Sequence, residues 1–296
     1  MKCFRFIAAQ KACHSVKTMC RVLGVSRSGF HAWERRPPCA REVADRGLIE
    51  RIGPIHKRSR KTYGARRVHA ELARQGVHVG RKRVERLMRR VGLSGLVKRR
   101  RGRTTIRVPG VRTAPDLVAR DFNPKRPDQL WVADITYLRT WEGWLYLAAV
   151  MDCYSRRIVG WSIADHMRAE LVVDALEMAL ARRKPAAGLV HHSDQGSQFV
   201  SLVFAQRCQD AGVEISMGAR GCAYDNAVKE SFFASLKKEL VYRQSWPTKA
   251  DLRTAVFDYI EVFYNRSRLH STLGYLSPVE YEQRIPLSER MEKEAA

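Results

Sequence analysis

The sequence predicts an α/β fold in its second half, preceded by small, basic, all-α modules. Three observations predict it. The net excess of positive charge is confined to residues 1–126, that segment shows helical periodicity punctuated by glycine, and from Gln129 onward apolar runs of strand length alternate with amphipathic stretches. The 296 residues carry 54 Lys plus Arg against 30 Asp plus Glu, a net charge of +24. Residues 1–126 hold 34 basic and 8 acidic residues, a balance of +26, while residues 127–296 hold 20 and 22, a balance of −2. So few acids among so many cations point to a polyanionic partner, and nucleic acid is the expected one. A membrane surface also attracts such charge, but the broad Trp/Phe/Leu face of a membrane-lying helix is missing. At 45% apolar residues the chain can build a core in each of about two domains, which excludes wholesale disorder. No run approaches the roughly 18 apolar residues of a membrane span. The opening MKCFRFIAAQKACHSVK has too short an apolar run for a signal peptide, so a soluble intracellular chain with no membrane partner is expected. Seven scattered cysteines with no C-x-x-C pair read as reduced, mostly buried thiols.

The basic half comes first in order. In VKTMCRVLGVSRSGFHAWERR, residues 16–36, Val16, Met19, Cys20 and Leu23 suit one short helix that Gly24 breaks, and Ser26 can cap a second. The second helix carries Arg27, Ser28, His31 and Arg35 outward past Phe30 and Trp33, as in a DNA-reading helix-turn-helix. Spacing alone does not separate this from a plain helical hairpin. The arrangement recurs in GARRVHAELARQG and, after Gly80, RKRVERLMRRV. Val84, Leu87, Met88 and Val91 form a buried stripe, which leaves Arg81, Lys82, Arg83, Arg86, Arg89 and Arg90 toward solvent. Six like charges on one short helix repel, and a phosphate backbone would relieve them, so Arg81, Lys82, Arg83 and Arg86 are candidate DNA contacts beside Arg27, Ser28 and His31. From Gly95 to about Pro127 the chain reads as a basic linker.

The acidic half follows. QLWVADITYLRT, GWLYLAAVMDCYS and RIVGWSIAD read as three strands joined by short turns and hence antiparallel. RAELVVDALEMALARR is a helix, GLVHHSD a strand, SQFVSLVFAQRCQDAG a helix, VEISMG a fifth strand, and a final helical segment begins after GARGCAYDNA. Three antiparallel strands followed by alternating helix and strand is the order of a ribonuclease H-like fold with a mixed five-stranded sheet. The expected units are helix-turn-helix modules at 1–50 and 51–94, a linker at 95–127, the core at 128–285 and a polar tail at 286–296.

Acids within apolar strands are costly unless neutralised. Asp134 lies mid-strand in WVADITY, Asp194 closes GLVHHSD at the carboxyl edge where open α/β sheets place ligands, and Glu230 lies in the last helix. Converging carboxylates repel unless divalent cations sit among them, and two Mg²⁺ ions about 3.5–4 Å apart suit such oxygen donors and in-line phosphodiester chemistry. Each acid also has a plain structural reading: Asp134 as a hydrogen-bond acceptor, Asp194 as a cap for a helix at Ser197, Glu230 as a surface group. Asp152 and Asp225 offer themselves as well, and position alone does not choose among them.

DITYL at 134–138, HHSDQGSQF at 191–199 and YDNAVKESFFASLKKE at 224–239 resemble the DDE integrase core of bacterial insertion-sequence transposases. With YGARRVHAEL and the closing NRSRLHSTLGYLSPVEYE, the chain resembles the second-reading-frame product of the insertion sequence three family across residues 16–283. The resemblance implies a retroviral-integrase-like core in which Asp134, Asp194 and Glu230 form the catalytic triad. They would hold Mg²⁺, for which Mn²⁺ can substitute, during cleavage at the element's ends and joining of 3′-hydroxyl ends to DNA. It also implies a phosphate contact at Lys237, two helical turns past Glu230. Further implications are self-association on DNA, fusion to or interaction with the upstream-frame product, and action in the bacterial cytoplasm at the nucleoid. His270 is expected to dock the closing segment against the core. The rival reading is a DNA-binding regulator acting through the basic modules.

Overall fold

A computed structural model of the chain describes residues 2–96, 114–119, 121–218 and 227–284, the side chains of 227–230 excepted. Eleven α-helices and five strands are described. The amino-terminal unit comprises α1 (Lys2–Gln10), α2 (Val16–Val22) and α3 (Arg27–Arg35). Gly24 adopts φ +62° and Ser26 caps α3 by accepting from the Gly29 N–H at 3.2 Å, so the turn that the glycine and serine imply is formed. Ile7, Met19, Cys20 and Phe30 make its small core, with Phe4 and Trp33 packed against them. Helix α1 supplies Ile7 and Phe4 to that core.

The second module is built from α4 (Ala40–Arg58), α5 (Ala65–Arg74) and α6 (Arg81–Arg90). The expected boundary at residue 50 is corrected here, because α4 runs unbroken through it and through the Gly53–Pro54 pair. Leu48, Ile52 and Ile55 of α4 pack with Val68 and Leu72 of α5 and with Val84, Leu87 and Met88 of α6, so one apolar stripe binds 40–58 to the second module. The thiol expectation is corrected in part. Cys20, Cys153 and Cys208 are buried, but Cys13 and Cys39 are exposed and Cys3 is intermediate, and Cys222 lies outside the described residues.

The core sheet comprises β1 (Leu130–Thr140), β2 (Gly143–Asp152), β3 (Ile158–Ala164), β4 (Val190–Ser193) and β5 (Glu214–Met217) in the order β3-β2-β1-β4-β5. β1, β2 and β3 pair antiparallel and β4 and β5 add in parallel, as the short turns and then the intervening helices dictate. Side chains alternate between two cores. Trp131, Ala133, Ala148 and Val150 face α7 (Ala169–Arg183) and α8 (Leu202–Asp210). Leu130, Val132, Leu147 and Ala149 face α9 (Ala227–Glu239) and α10 (Lys249–Asp258), together with the second module. Helix α8 starts later than the sequence suggests: Ser201, not a residue near Ser197, is its cap.

Two joints fix the assembly. Arg183 at the end of α7 reaches Asp128 at 2.7 Å, Glu282 at 2.9 Å and Asp152 at 3.3 Å, tying β2 to the closing helix α11 (Pro278–Gln283). Burial and the neighbouring Asp128 charge push the Asp152 carboxyl up to about 7. Tyr63 accepts from the Leu269 N–H and donates to the Ser267 carbonyl, and Arg60 and Arg74 pair with Asp258 and Glu280, seating the second module on the core. His270, buried beside Arg268 and Tyr264, bridges to Leu276 and docks the closing segment as expected.

The linker assignment is corrected for its last part. The Pro115 carbonyl accepts from the Met217 N–H and the Leu117 N–H donates to Ser216 Oγ, so residues 114–118 cover the edge of β5, and Val118 is buried. The Lys98–Arg103 run lies outside the described residues. Where α7 crosses β3, a Cβ on Gly160 would stand 2.1 Å from the Ala175 carbonyl oxygen and 2.7 Å from the Ala179 Cβ. Gly160→Ala is expected to destabilise the core by about 2–3 kcal/mol, read as an earlier urea midpoint, and an unchanged midpoint would contradict this close approach.

Candidate active site

The parallel β1–β4 ladder sets the geometry. Leu130 lies opposite Val190, Trp131 opposite His191 and Val132 opposite His192, a constant offset of 60 residues. The ladder ends there: Asp134 stands two residues further along β1, and Asp194 lies just beyond the end of β4, so the pairing directs both toward the same end of the sheet. Asp134 follows Val132 by an even step within β1 and so belongs to the α9 side of the sheet. Asp134 is half-buried, its Oδ1 accepting from the Ile135 N–H at 2.7 Å. Asp194 is exposed just past β4, and its Oδ1 accepts from the Gly196 N–H at 3.0 Å. That Asx turn replaces the helix cap considered for Asp194. A Cβ at Gly196 would lie only 3.0 Å from the same oxygen.

The carboxyl end of β4 is held from both sides. His192 Nδ1 and Ser216 Oγ are 3.0 Å apart, and Phe122 packs edge-on against the imidazole. Beyond Asp194, Gln195 donates to the Gly218 carbonyl and Gln198 to the Met167 carbonyl. Both glutamines belong to the HHSDQGSQF segment that carries the family resemblance, whereas Phe122, a linker phenylalanine, gives no local signal of what it anchors.

Helix α9 closes the site. Phe232 and Phe233 line a narrow crevice with Asp134, Val132, Ala149, Met151 and Ile158. Position 230 stands three residues before Phe233 and seven before Lys237, so the backbone sets it on the same helical face. The Glu230 side chain, the loop 219–226 and Asp225 lie outside the described residues. Lys237 is half-buried, and its Nζ sits 4.8 Å from the centre of the Tyr137 ring. Burial lowers its pKa, and the Asp134 carboxylate opposes that shift.

Asp152, the competing acid, is directed elsewhere. It is fully buried, and its oxygens accept from the Asp128 and Tyr154 N–H groups and meet Arg183. A divalent cation fits the Asp134–Asp194 pair by donor chemistry: two hard carboxylates, one of them exposed, at the same end of the sheet. Among the described residues there is no group of three His, Cys, Asp or Glu set to hold a metal ion.

Comparison with known proteins follows the same division. The family description "Integrase core domain" matches residues 124–222 and 230–285, and "HTH-like domain" matches 42–101. The chain is 41% identical over 281 residues to the transposase InsF of insertion sequence IS3A from Escherichia coli (strain K12), covering 94% of this chain and 98% of that protein. The chain belongs to the IS3 family of insertion-sequence transposases. It is similarly 41% identical over 266 residues to a 31 kDa protein of insertion element IS600 from Shigella sonnei, covering 90% and 98% of the two chains. The transposase of IS629 from the same species is 40% identical over 275 residues, 91% and 92% of the two. Among solved structures, the HTLV-2 integrase catalytic core in complex with magnesium aligns over 54% of this chain and 99% of that one, at 15% identity and a TM-score of 0.40.

In this IS3-family transposase the basic candidates divide. Arg27 and Ser28 are exposed on α3, and Ser28 shares a 2.7 Å hydrogen bond with Ser26, while His31 is half-buried beside Glu34. On α6, Arg81 and Lys82 are exposed, as expected. Arg83 and Arg86 differ, because both clamp the buried Asp45 of α4 at 2.7 Å, so their charge is largely spent inside the module. The acid that relieves the crowding on α6 is 38 residues away from Arg83 in sequence, out of reach of any local pattern.

Hydrogen bonds from Arg83 and Arg86 hold the Asp45 carboxyl below its ordinary range. A depressed folded-state pKa adds stability that is complete above the ordinary aspartate value near about 4 and is lost as pH falls through the depressed one. The wild-type chain is expected to lose more melting temperature between about pH 4 and pH 2 than Asp45→Asn does, and parallel pH profiles would contradict the clamp.

Proposed function

We propose that the chain is a metal-dependent DNA strand transferase that cleaves at the ends of its element and joins the resulting 3′-hydroxyl ends to DNA, with Asp134, Asp194 and Glu230 as its metal-binding triad. The observation that carries this reading is the 60-residue register of β1 against β4, which leads the segments bearing Asp134 and Asp194 toward the same end of the sheet. Two carboxylates so placed repel, and a third on α9 would sharpen the repulsion, so the set is stable in its ionised form when divalent cations neutralise it. Two Mg²⁺ ions, replaceable by Mn²⁺, would supply activation of the attacking oxygen and stabilisation of the leaving one in an in-line displacement.

The chain's own residues then bind and orient. Asp134, braced by the Ile135 N–H, and Asp194, braced by the Gly196 N–H, present oxygens at the same end of the sheet. Lys237, close enough to Asp134 to sense its charge, offers a cation to the phosphate beside the carboxylates. Arg81 and Lys82 on α6 and Arg27, Ser28 and His31 on α3 would track the DNA. We assign 2–36 to the first DNA-binding module, 40–94 to the second and 114–284 to the catalytic unit with its closing segment. Two element ends call for two active sites, so self-association on DNA is part of the proposal, as is fusion to or contact with the upstream-frame product for recognising those ends. No described helix is long and apolar enough to cross a membrane, and the protein would act on DNA in the bacterial cytoplasm, at the nucleoid.

The test is a donor-plasmid excision and joining assay in Mg²⁺ comparing wild type, its upstream-frame fusion, Asp134→Asn, Asp194→Asn and Glu230→Gln. Each substitution is expected to lower joined product by about 10²-fold or more, while DNA affinity by filter binding stays within about twofold. Joining that survives Asp194→Asn, or affinity that falls with it, would favour a DNA-binding regulator.

A further inference from the structure

The β1–β2 hairpin carries an uncovered aromatic patch that the proposed chemistry does not use. Tyr137 is 61% exposed, Trp144 45% and Trp141, at the turn, 74%. The register sets Tyr137 opposite Tyr146 and Arg139 opposite Trp144, so alternation brings these four side chains to one face. Tyr137 and Trp144 meet edge to face, ring centres 5.3 Å apart at 85°. Each ring also has a cation: the Arg139 guanidinium lies 5.8 Å from the Trp144 ring centre and Lys237 Nζ lies 4.8 Å from that of Tyr137.

Position supplies the function. Tyr137 stands three residues past Asp134, about 10 Å along the strand and, by the odd step, on the sheet's other face, at an edge where no described strand pairs with β1 beyond Val132 on the β4 side. Lys237 links the two, with its ammonium over the Tyr137 ring and within the field of the Asp134 carboxylate. Exposed rings interleaved with cations make a surface on which bases stack without sequence preference while the cations meet the backbone. A second copy of the chain is the poorer occupant, since a two-fold contact on this patch would set Arg139 and Lys237 against their own counterparts.

We propose that Tyr137, Trp144 and Arg139 form a stacking platform for unpaired bases around the β1 edge from the phosphate held at Asp134 and Asp194, with Lys237 between the two, so that the preferred substrate is DNA opened at the joint. The inference rests on the strand-transferase reading and names the form of DNA that its site accepts.

The experiment uses the full chain and two duplexes of the element's end in Ca²⁺, each with 2-aminopurine near the joint, one fully paired and one with three mismatched pairs there. Wild type is expected to quench the probe in the mismatched duplex and bind that duplex more tightly than the paired one. Tyr137→Ala and Trp144→Ala are expected to lose the quench and roughly tenfold of the affinity for the mismatched duplex, with Trp144→Phe retaining both. Both rings are exposed, so melting temperatures should hold, and circular dichroism checks this. A quench that persists in both alanine variants overturns the platform. So does a change in sedimentation mass with the quench intact, which would assign the patch to contact between copies. Because the fluorescence does not require joining, a wild-type chain whose joining survives Asp194→Asn sinks the strand-transferase reading separately.

Discussion

The pairing of β4 beside β1 is the constraint on which the rest of the site depends. A parallel ladder has one register compatible with its buried faces, since a slip of one residue would turn Val132 and His192 away from the α9 side and bring Trp131 and His191 into it. The same ladder that buries those residues leads to Asp134 along β1 and to Asp194 just past β4. Repulsion between the two carboxylates opposes the pairing, and the supports around β4 resist it. These are the His192–Ser216 contact, the Phe122 ring against the imidazole, and the 114–118 segment sealing the outer edge of β5. The acids are thus held by a scaffold that does not depend on them.

Charge in the basic half is organised by the same logic of partners. Of the arginines in the second module, Arg60 and Arg74 join it to Asp258 and Glu280 of the core, and Arg83 and Arg86 are clamped on Asp45. Arg67 lies 3.8 Å from Glu239, itself gripped by Arg268. A share of the cations that give residues 1–126 their +26 balance therefore serves cohesion. The net charge names the class of partner correctly and overstates how many side chains are available to it.

Much of this was legible in the sequence where the signal is local. Gly24 and Ser26 mark the turn into α3, the i, i+3, i+4 stripe of Val84, Leu87 and Met88 marks α6, and the strand and helix order marks the mixed sheet. What escaped depends on contacts distant in sequence. Helix α4 hides behind Gly53–Pro54 because its continuity comes from packing Leu48, Ile52 and Ile55 on two other helices. Residues 114–118 look like linker because their order comes from β5. Asp134 and Asp152 are both acids of apolar strands, and only burial against Arg183 separates the second from the first.

The most direct measurement is affinity cleavage with Fe²⁺ in place of Mg²⁺, which cuts the backbone beside a bound cation and does not need DNA joining. The account predicts cuts clustered near residues 134, 194 and 230, suppressed by excess Mg²⁺ and lost in Asp194→Asn. Cuts around Asp152, or none that Mg²⁺ suppresses, would contradict the claim that β1, β4 and α9 together build the metal site.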